Sequence, residues 1–370
     1  MPDSAKMNRR HKALFITVVP SPYQRDLFGA LAMRDDVDLE VCYMERESPD
    51  SPWPEKPLRS FERILPGFWM RFGNARGHVN WKLPDVSEPQ IVVLSSFTSL
   101  TGQYLMRRLL RRKRWLFWGE RLHQNAGVSE VVQRALAAPI AEASAIVGVG
   151  RAAEEDYRQR FPNTQHFNIP YHCDLTAFFA AHRSVEPRTP VTFLFCGQMI
   201  GRKGVDLLLQ AFDHIITKGI EARLILVGRE ADLPKFLAMV GHATRCKVRY
   251  EGFQAPEHLP KHFSRSDVFV LPSRHDGWGV VINQAMAAGL PVITSNAVGA
   301  GLDLVEHGIN GICVPANDVE GLYRAMEMLA LRPEIARQWG ERSRERARHL
   351  TPEAGAEKWV RVFNSFLQTR

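Results

Sequence analysis

Apolar residues recur along the chain in short runs, each closed by Gly, Pro or charged residues and followed by a stretch with helical spacing. Ala13–Val19 is the first such run. Pro20-Ser21-Pro22 closes it, and Leu27, Ala30 and Leu31 then share one face of a helix predicted over Tyr23–Met33. Val37–Tyr43, Ile91–Leu94, Arg114–Trp118 and Ala145–Val149 read as further strands, with helices over Leu100–Lys113 and Val131–Glu142. Arg46–Asp85 is irregular, rich in Pro, Gly and Trp, and long for a connection, so function or partial structure is expected there. The second half repeats the scheme more cleanly. Strands are predicted at Val191–Cys196, Arg223–Val227, Lys247–Tyr250, Val268–Leu271 and Pro291–Thr294, with helices at Val205–Ile216 and Ile282–Ala288 among them. Near-continuous apolar strands alternating with helices imply parallel sheets covered on both faces. The reading is α/β, with two Rossmann-like doubly wound domains at 1–180 and 181–350, followed by a C-terminal segment at 351–370 with a helix over Ala354–Leu367. The two are joined around His172–Pro190, and ligands are expected beyond the carboxyl ends of the strands.

Composition narrows the function classes. The chain has 370 residues, 45% hydrophobic and 24% charged, which excludes a disordered, collagenous or disulfide-scaffold protein. Lys+Arg 48 against Asp+Glu 40 gives +8, which favours an anionic partner: nucleotide, phosphate, membrane surface or nucleic acid. Cys42, Cys173, Cys196, Cys246 and Cys313 are an odd number with no C-x-x-C pair, so reduced thiols and a cytoplasmic chain are expected. No apolar stretch reaches the roughly 18 residues of a spanning helix. There is no zinc-ligand spacing or RNA-recognition string, so nucleic acid is not an expected partner. Asp36-Val37-Asp38 fits the D-x-D string of metal-dependent transferases. It lies in a charged turn before a strand and reads as chance, so no metal is expected.

Two segments carry candidate chemistry. In Leu271–Val314 a strand ends at Leu271, and Asp276-Gly277-Trp278-Gly279 leads into a helix starting near Val280. Glycines at a helix start let backbone amides approach a phosphate, and Asp276 is an acceptor-only group suited to sugar hydroxyls. Gln284, two helical turns on, presents an amide in the same direction. The plain alternative is an ordinary strand–turn–helix capped by Asp. Gly289, Pro291, Gly299, Gly301, Gly308 and Gly311 make the segment less generic and read as structural positions. In Phe195–Phe212 a strand leaves through Gly197–Gly204, with Arg202 and Lys203 placed to meet a diphosphate. The plain alternative is two solvated cations, and the spacing is not that of a Walker A loop. A third stretch, Leu105–Trp115, alternates apolar and arginine pairs with helical period. It reads either as a core-packed helix with a solvated basic face or as a contact with anionic lipid.

Together the first two segments resemble the retaining, nucleotide-sugar-dependent glycosyltransferases of family 4, which have the GT-B fold of two Rossmann-like domains facing a cleft. That family has G-R-L-x-x-x-K-G-x-D-x-L-L-x-A-F followed by E-G-F-G-L-x-x-x-E-A-M-A-x-G-x-P-V-I, and the likeness covers about Val191–Val314. VVPSPYQRDLFGAL and NIPYHCD in the first half look similar more weakly. The resemblance implies that Lys203 holds the donor diphosphate. The family arginine five residues earlier is Gln198 here, and Arg202 offers the missing charge. The resemblance also places Asp276 at the donor sugar, Gln284 at the ribose, and the backbone of Gly277, Trp278, Gly279 and Val280 at the phosphates. Gly228 and Arg229 fall beside the nucleotide, and Phe253 with Gln254 by the base. In the first domain it points to His123 or Glu120 near the donor sugar and acceptor; Tyr23 and Gln24 follow the first strand. The C-terminal helix is expected to cross back to the first domain. The implied activity is metal-independent, retaining transfer from a nucleotide-diphosphate sugar, with no cofactor, to a glycan, lipid-linked or small-molecule acceptor. A role in cell-surface polysaccharide synthesis and a peripheral place on the inner membrane face are expected. The departures Gln198, Asp276 and Gln284 sustain an alternative, a catalytically weak sugar-nucleotide-binding partner subunit.

Overall fold

Runs of Val, Ile, Leu and Phe form strands whose two faces are both covered by helices. The computed structural model describes residues 10–47, 56–72, 75–122, 128–181 and 189–368. The chain divides into two units: Met1–Val149 with Ala153–Cys173 and Pro352–Arg370, and Gly150–Ala152 with Asp174–Thr351. In the first unit the strands are β1 (His11–Thr17), β2 (Val37–Tyr43), β3 (Glu62–Ile64), β4 (Gly67–Phe72), β5 (Ala75–Asn80), β6 (Ile91–Leu94), β7 (Leu116–Gly119), β8 (Ala145–Gly148) and β9 (Gln165–Asn168). In the second they are β10 (Val191–Cys196), β11 (Ala222–Val227), β12 (Val248–Tyr250), β13 (Val268–Leu271), β14 (Val292–Ser295) and β15 (Gly311–Val314).

Among the described residues the first sheet has the order β3-β2-β1-β6-β7-β8-β9 and the second β12-β11-β10-β13-β14-β15, with β4 and β5 forming a separate pair. Every neighbouring pair in the two large sheets is parallel; Ala13 of β1 faces Leu39 and Ile91, and Phe193 of β10 faces Leu224 and Val268. In each sheet the order reverses beside the unit's first strand, at β1/β6 and at β10/β13. Loops diverge there and leave room for a ligand.

The helix Pro352–Gln368 groups with the first unit. Its Trp359 and Phe363 are fully buried. Trp359 lies 5.0 Å from the Phe15 ring and 5.4 Å from Trp118, so the last helix completes a core begun by the first strand. The helix Pro22–Ala32 starts with proline at its first position, where the absent N–H costs nothing. It contributes Phe28, 5.1 Å from Phe15.

One sequence expectation is corrected and two stretches are filled in. Arg46–Asp85 holds β3 and the antiparallel β4–β5 hairpin. The hairpin region exposes Phe68, Trp69, Met70 and Trp81, so its apolar residues do not mark a buried face. The helix expected over Leu100–Lys113 is α-helical only over Leu100–Tyr104 and closes with a π turn, Leu105–Leu109. Arg112 adopts φ 64°, which no helix tolerates. The chain from Arg151 to Asn168 adds a helix, Arg151–Arg160, and the edge strand β9, which the apolar pattern did not announce.

Candidate functional site

The turn after β10 and the loop after β13 meet at the point where the second sheet's order reverses. Cys196 ends β10, and the chain turns through Gly197 to a short 3-10 turn, Gly201–Lys203. Gly204 then opens the helix Val205–Thr217 at φ 71°, and a Cβ there would lie 2.1 Å from the Pro272 carbonyl oxygen. Only glycine lets the two loops approach so closely. Across this contact the Lys203 ammonium pairs with the Asp276 carboxylate, with side chains 17% and 12% exposed. The two charged residues singled out from separate motifs are thus joined. The Asp276 N–H donates to Ala297 O at 3.0 Å, and its carbonyl accepts from the Gly299 N–H at 3.2 Å, which fixes the loop against the tip of β14.

Arg274 holds the two loops together and was not singled out in the sequence. Its guanidinium donates to both Asp206 carboxylate oxygens at 2.7 Å, to Asn317 Oδ1 at 2.7 Å, and to the Gly201 carbonyl. Its backbone N–H donates to Arg202 O at 2.8 Å. The bidentate bond to Asp206 fastens Arg274 in its charged form. In the sequence Arg274 reads as a loop cation, and its carboxylate partner lies on a different element.

The remaining predicted residues of this unit fall around the same sheet edge. Arg202 is exposed and donates to His275 O at 3.1 Å. Gln198 is half-buried in the turn, with its carbonyl accepting from the Ile200 N–H. Gly228, φ 139°, ends β11; a Cβ would stand 1.8 Å from the Gly197 carbonyl oxygen, so the tips of β10 and β11 touch. Arg229 is exposed beside it, and its carbonyl accepts from the Met199 N–H. Phe253, 45% exposed, follows β12 next to Gly252, whose carbonyl accepts from the Gly228 N–H. Gln254 donates to Glu251 O at 2.7 Å. Burial pushes the Cys196 thiol up to about 12, with Lys203 opposing, so this thiol stays protonated.

Trp278 offers the site its backbone alone. Its side chain is 1% exposed and donates to Asn283 Oδ1 at 3.1 Å. It packs against Gly150, where a Cβ would lie 2.4 Å from the indole. The indole is core, and a ligand role for Trp278 is confined to its backbone. Val280 caps the helix Val281–Ala287, and Gln284 on it is half-buried, as are Gly279 and Val280; Gly277 is buried.

In the first unit, Glu120 is brought to other candidates. It is exposed after β7, and its carboxylate accepts from Tyr171 Oη at 2.8 Å. Gln24 Nε2 donates to the same Tyr171 oxygen at 3.4 Å, and Thr17 donates to Gln24 Oε1 at 3.3 Å. The Tyr23 ring lies 4.7 Å from that of Tyr171. Tyr171 is the organising residue, and burial with the neighbouring Glu120 charge drives its hydroxyl well above its usual range. The sequence signal was its place in NIPYHCD. His123 lies outside the described residues.

Among the described residues no group of three or more His, Cys, Asp or Glu is placed to hold a metal ion. The D-x-D string is otherwise engaged: Asp36 takes two bonds from Arg34 at 2.8 Å, and that guanidinium holds its carboxyl below the usual range. No disulfide joins the cysteines. No described helix is long and apolar enough to cross a membrane. Of the basic stretch, Arg107 donates to Gln103 and to Ala135 O, and Arg114 lies 4.3 Å over the Phe366 ring. Leu105, Met106, Leu110 and Trp115 are buried, while Arg108, Arg111 and Arg112 are exposed.

Residues 190–331 match the family model described as glycosyl transferases group 1. An uncharacterized glycosyltransferase of Methanocaldococcus jannaschii is 34% identical over 123 residues, 33% of this chain and 31% of that protein. A GDP-mannose-dependent alpha-(1-6)-phosphatidylinositol monomannoside mannosyltransferase of Mycobacterium tuberculosis is 31% identical over 163 residues, 42% of each chain. These matches span less than half the length of either relative. Among solved structures, sucrose-phosphate synthase from Thermosynechococcus elongatus superposes with a TM-score of 0.71 at 20% identity, covering 97% of this chain and all of that one. That likeness shows the GT-B fold over the whole chain. The motif pair that carries the candidate site lies inside the matched residues.

Proposed function

We propose that this protein is a metal-independent glycosyltransferase that binds a nucleotide-diphosphate sugar on its second unit and transfers the sugar with retention of anomeric configuration. The observation that carries the reading is the Lys203–Asp276 pair at the β10/β13 crevice, within residues that match group 1 glycosyl transferases. Without donor, each charge satisfies the other. With donor, the diphosphate takes Lys203, and Asp276 is freed to accept hydrogen bonds from the sugar hydroxyls. Arg202 adds positive charge, the Gly277–Val280 backbone meets the phosphates, Gln284 reaches the ribose, and exposed Phe253 offers a stacking face to the base. Cations aimed at the leaving diphosphate stabilise the charge that develops as the bond from sugar C1 to phosphate oxygen breaks. The acceptor oxygen then bonds C1 on the same face, and its proton passes to the departing phosphate.

The direct test supplies UDP-, GDP- and ADP-sugars with alkyl glycoside acceptors and follows release of nucleoside diphosphate. One donor family is expected to turn over and to yield a product of unchanged anomeric configuration by NMR. Nucleotide binding without turnover across the acceptor panel would favour the partner-subunit reading instead.

A lipid-linked glycan acceptor is the second part of the proposal. Arg108, Arg111 and Arg112 are exposed on one turn of the first unit and suit an anionic bilayer. The triple change of these residues to Glu is expected to abolish sedimentation with vesicles containing anionic lipid. Equal sedimentation of wild type and variant would remove the membrane from the account.

A further inference from the structure

The first unit holds a carboxylic acid that no part of the account so far uses. Glu45 follows β2, and β1 and β2 remain paired beyond their ends: Met44 N–H donates to Thr17 O and Glu45 N–H to Val18 O, each at 2.9 Å. Glu45 is 7% exposed, and among the described residues no hydrogen bond or ion pair reaches its carboxyl group. Buried carboxylates are ordinarily paired, because water is lost without compensation otherwise. The contrast with its neighbourhood is sharp. Glu62, one strand over, is bound by Arg25 Nε at 2.8 Å, Tyr43 Oη at 2.8 Å and the Arg59 N–H at 2.8 Å.

A second unpartnered group lies on the same edge. Ser21, three residues after Val18, is 2% exposed, and its hydroxyl has no hydrogen-bond partner. It occupies the cap position of the helix Pro22–Ala32 but makes no side-chain cap bond. The edge continues through Thr17, Gln24 and Tyr171 to Glu120 by the bonds described above. A hydroxyl closed to solvent and the carboxyl of a largely buried glutamate thus stand without a protein partner at the carboxyl ends of β1 and β2, in the half of the sheet that holds the order reversal. Carboxylates accept and hydroxyls donate and accept, which is the complement of adjacent hydroxyls on a pyranose ring.

We propose that Glu45 and Ser21 form a subsite that binds the hydroxyl groups of the acceptor sugar. This rests on the glycosyltransferase reading and assigns its acceptor side to named residues. The site trades stability for binding. Burial alone pushes the Glu45 carboxyl up to about 7 from 4.5, and no charged group contributes to that shift. The folded chain therefore binds more protons than the unfolded chain between those values, and ionisation above them weakens the fold.

The experiment measures binding of methyl α- and β-D-glucoside, -galactoside and -mannoside by saturation-transfer NMR, alongside the thermal midpoint at pH 8. At least one glycoside is expected to bind wild type, with affinity at least tenfold lower on Glu45→Gln and reduced on Ser21→Ala. Glu45→Gln is expected to unfold at a higher temperature than wild type, because the buried charge is gone. A structural carboxylate would give the opposite pair of results, a lower midpoint with glycoside binding unchanged. Either of those, or no glycoside binding to wild type, overturns the proposal. UDP, GDP and ADP are titrated on the same samples. Nucleotide binding with glycoside failure overturns this subsite alone, whereas failure of all three nucleotides overturns the reading it rests on.

Discussion

Lys203→Ala is expected to lower sugar transfer by about 10²- to 10³-fold, the effect of removing one preorganised group that stabilises developing charge. Lys203 Nζ stands on Asp276 at the crevice, which is where the proposed reading puts the diphosphate. The substitution acts twice. It removes the cation from the leaving group, and it leaves the Asp276 carboxylate, 12% exposed, without its partner. Leaving a largely buried acceptor without its hydrogen-bond donor costs about 1–3 kcal/mol, so the variant should also melt earlier. Lys203→Arg keeps the charge with a different reach and should fall between the two. The measurement is the transfer rate with each variant's fold verified by circular dichroism. A loss below about fivefold on a folded Lys203→Ala would show that the charge of this side chain does not act on the donor.

Trp359→Ala is expected to destabilise the first unit by about 3–5 kcal/mol, the usual cost of emptying a buried aromatic site. The indole is fully buried and in edge contact with Phe15 and Trp118. At about 2–4 °C per kcal/mol, the first unit's midpoint should fall by roughly 10 °C. Nucleoside diphosphate binding should survive, since the residues proposed to hold the diphosphate, ribose and base belong to the second unit. Calorimetry of wild type and variant, with and without nucleotide, reads both effects. An unchanged midpoint would mean that the last helix does not complete the core of the first unit.

Strands buried on both faces were the most legible features. Ile91–Leu94, Val191–Cys196 and Val268–Leu271 are strands over the ranges their apolar runs predict, because a run covered on both sides must be apolar throughout. Val37–Tyr43, with Asp38 exposed, was legible by its alternation instead. The β4–β5 hairpin was not legible, since its Phe68, Trp69 and Met70 are exposed and obey no burial pattern. The arginine pairs of Leu105–Trp115 suggested one long helix. The π turn and the left-handed Arg112 end it, and Arg107 and Arg114 tie it to Ala135 and Phe366, contacts that only tertiary structure supplies.

The site shows the same division. Lys203 and Asp276 stand out because each sits in a turn with its own pattern, and the fold adds only that they touch. Arg274 and Glu45 carry no local signal, and Tyr171 only its place in NIPYHCD. Arg274 depends on Asp206, and Tyr171 on Glu120 and Gln24, partners remote in sequence. Glu45 reads as a surface charge at the end of a strand until its burial is known. Trp278 was assigned by its backbone, and the place of its indole in the core is what the tertiary structure adds.

The most direct test of the central claim is a crystal structure with a nucleotide-diphosphate sugar bound. The account predicts the diphosphate in the β10/β13 crevice, Lys203 Nζ moved from Asp276 to the phosphate oxygens, and Asp276 accepting from the sugar hydroxyls. A donor bound elsewhere with the Lys203–Asp276 pair intact would contradict it.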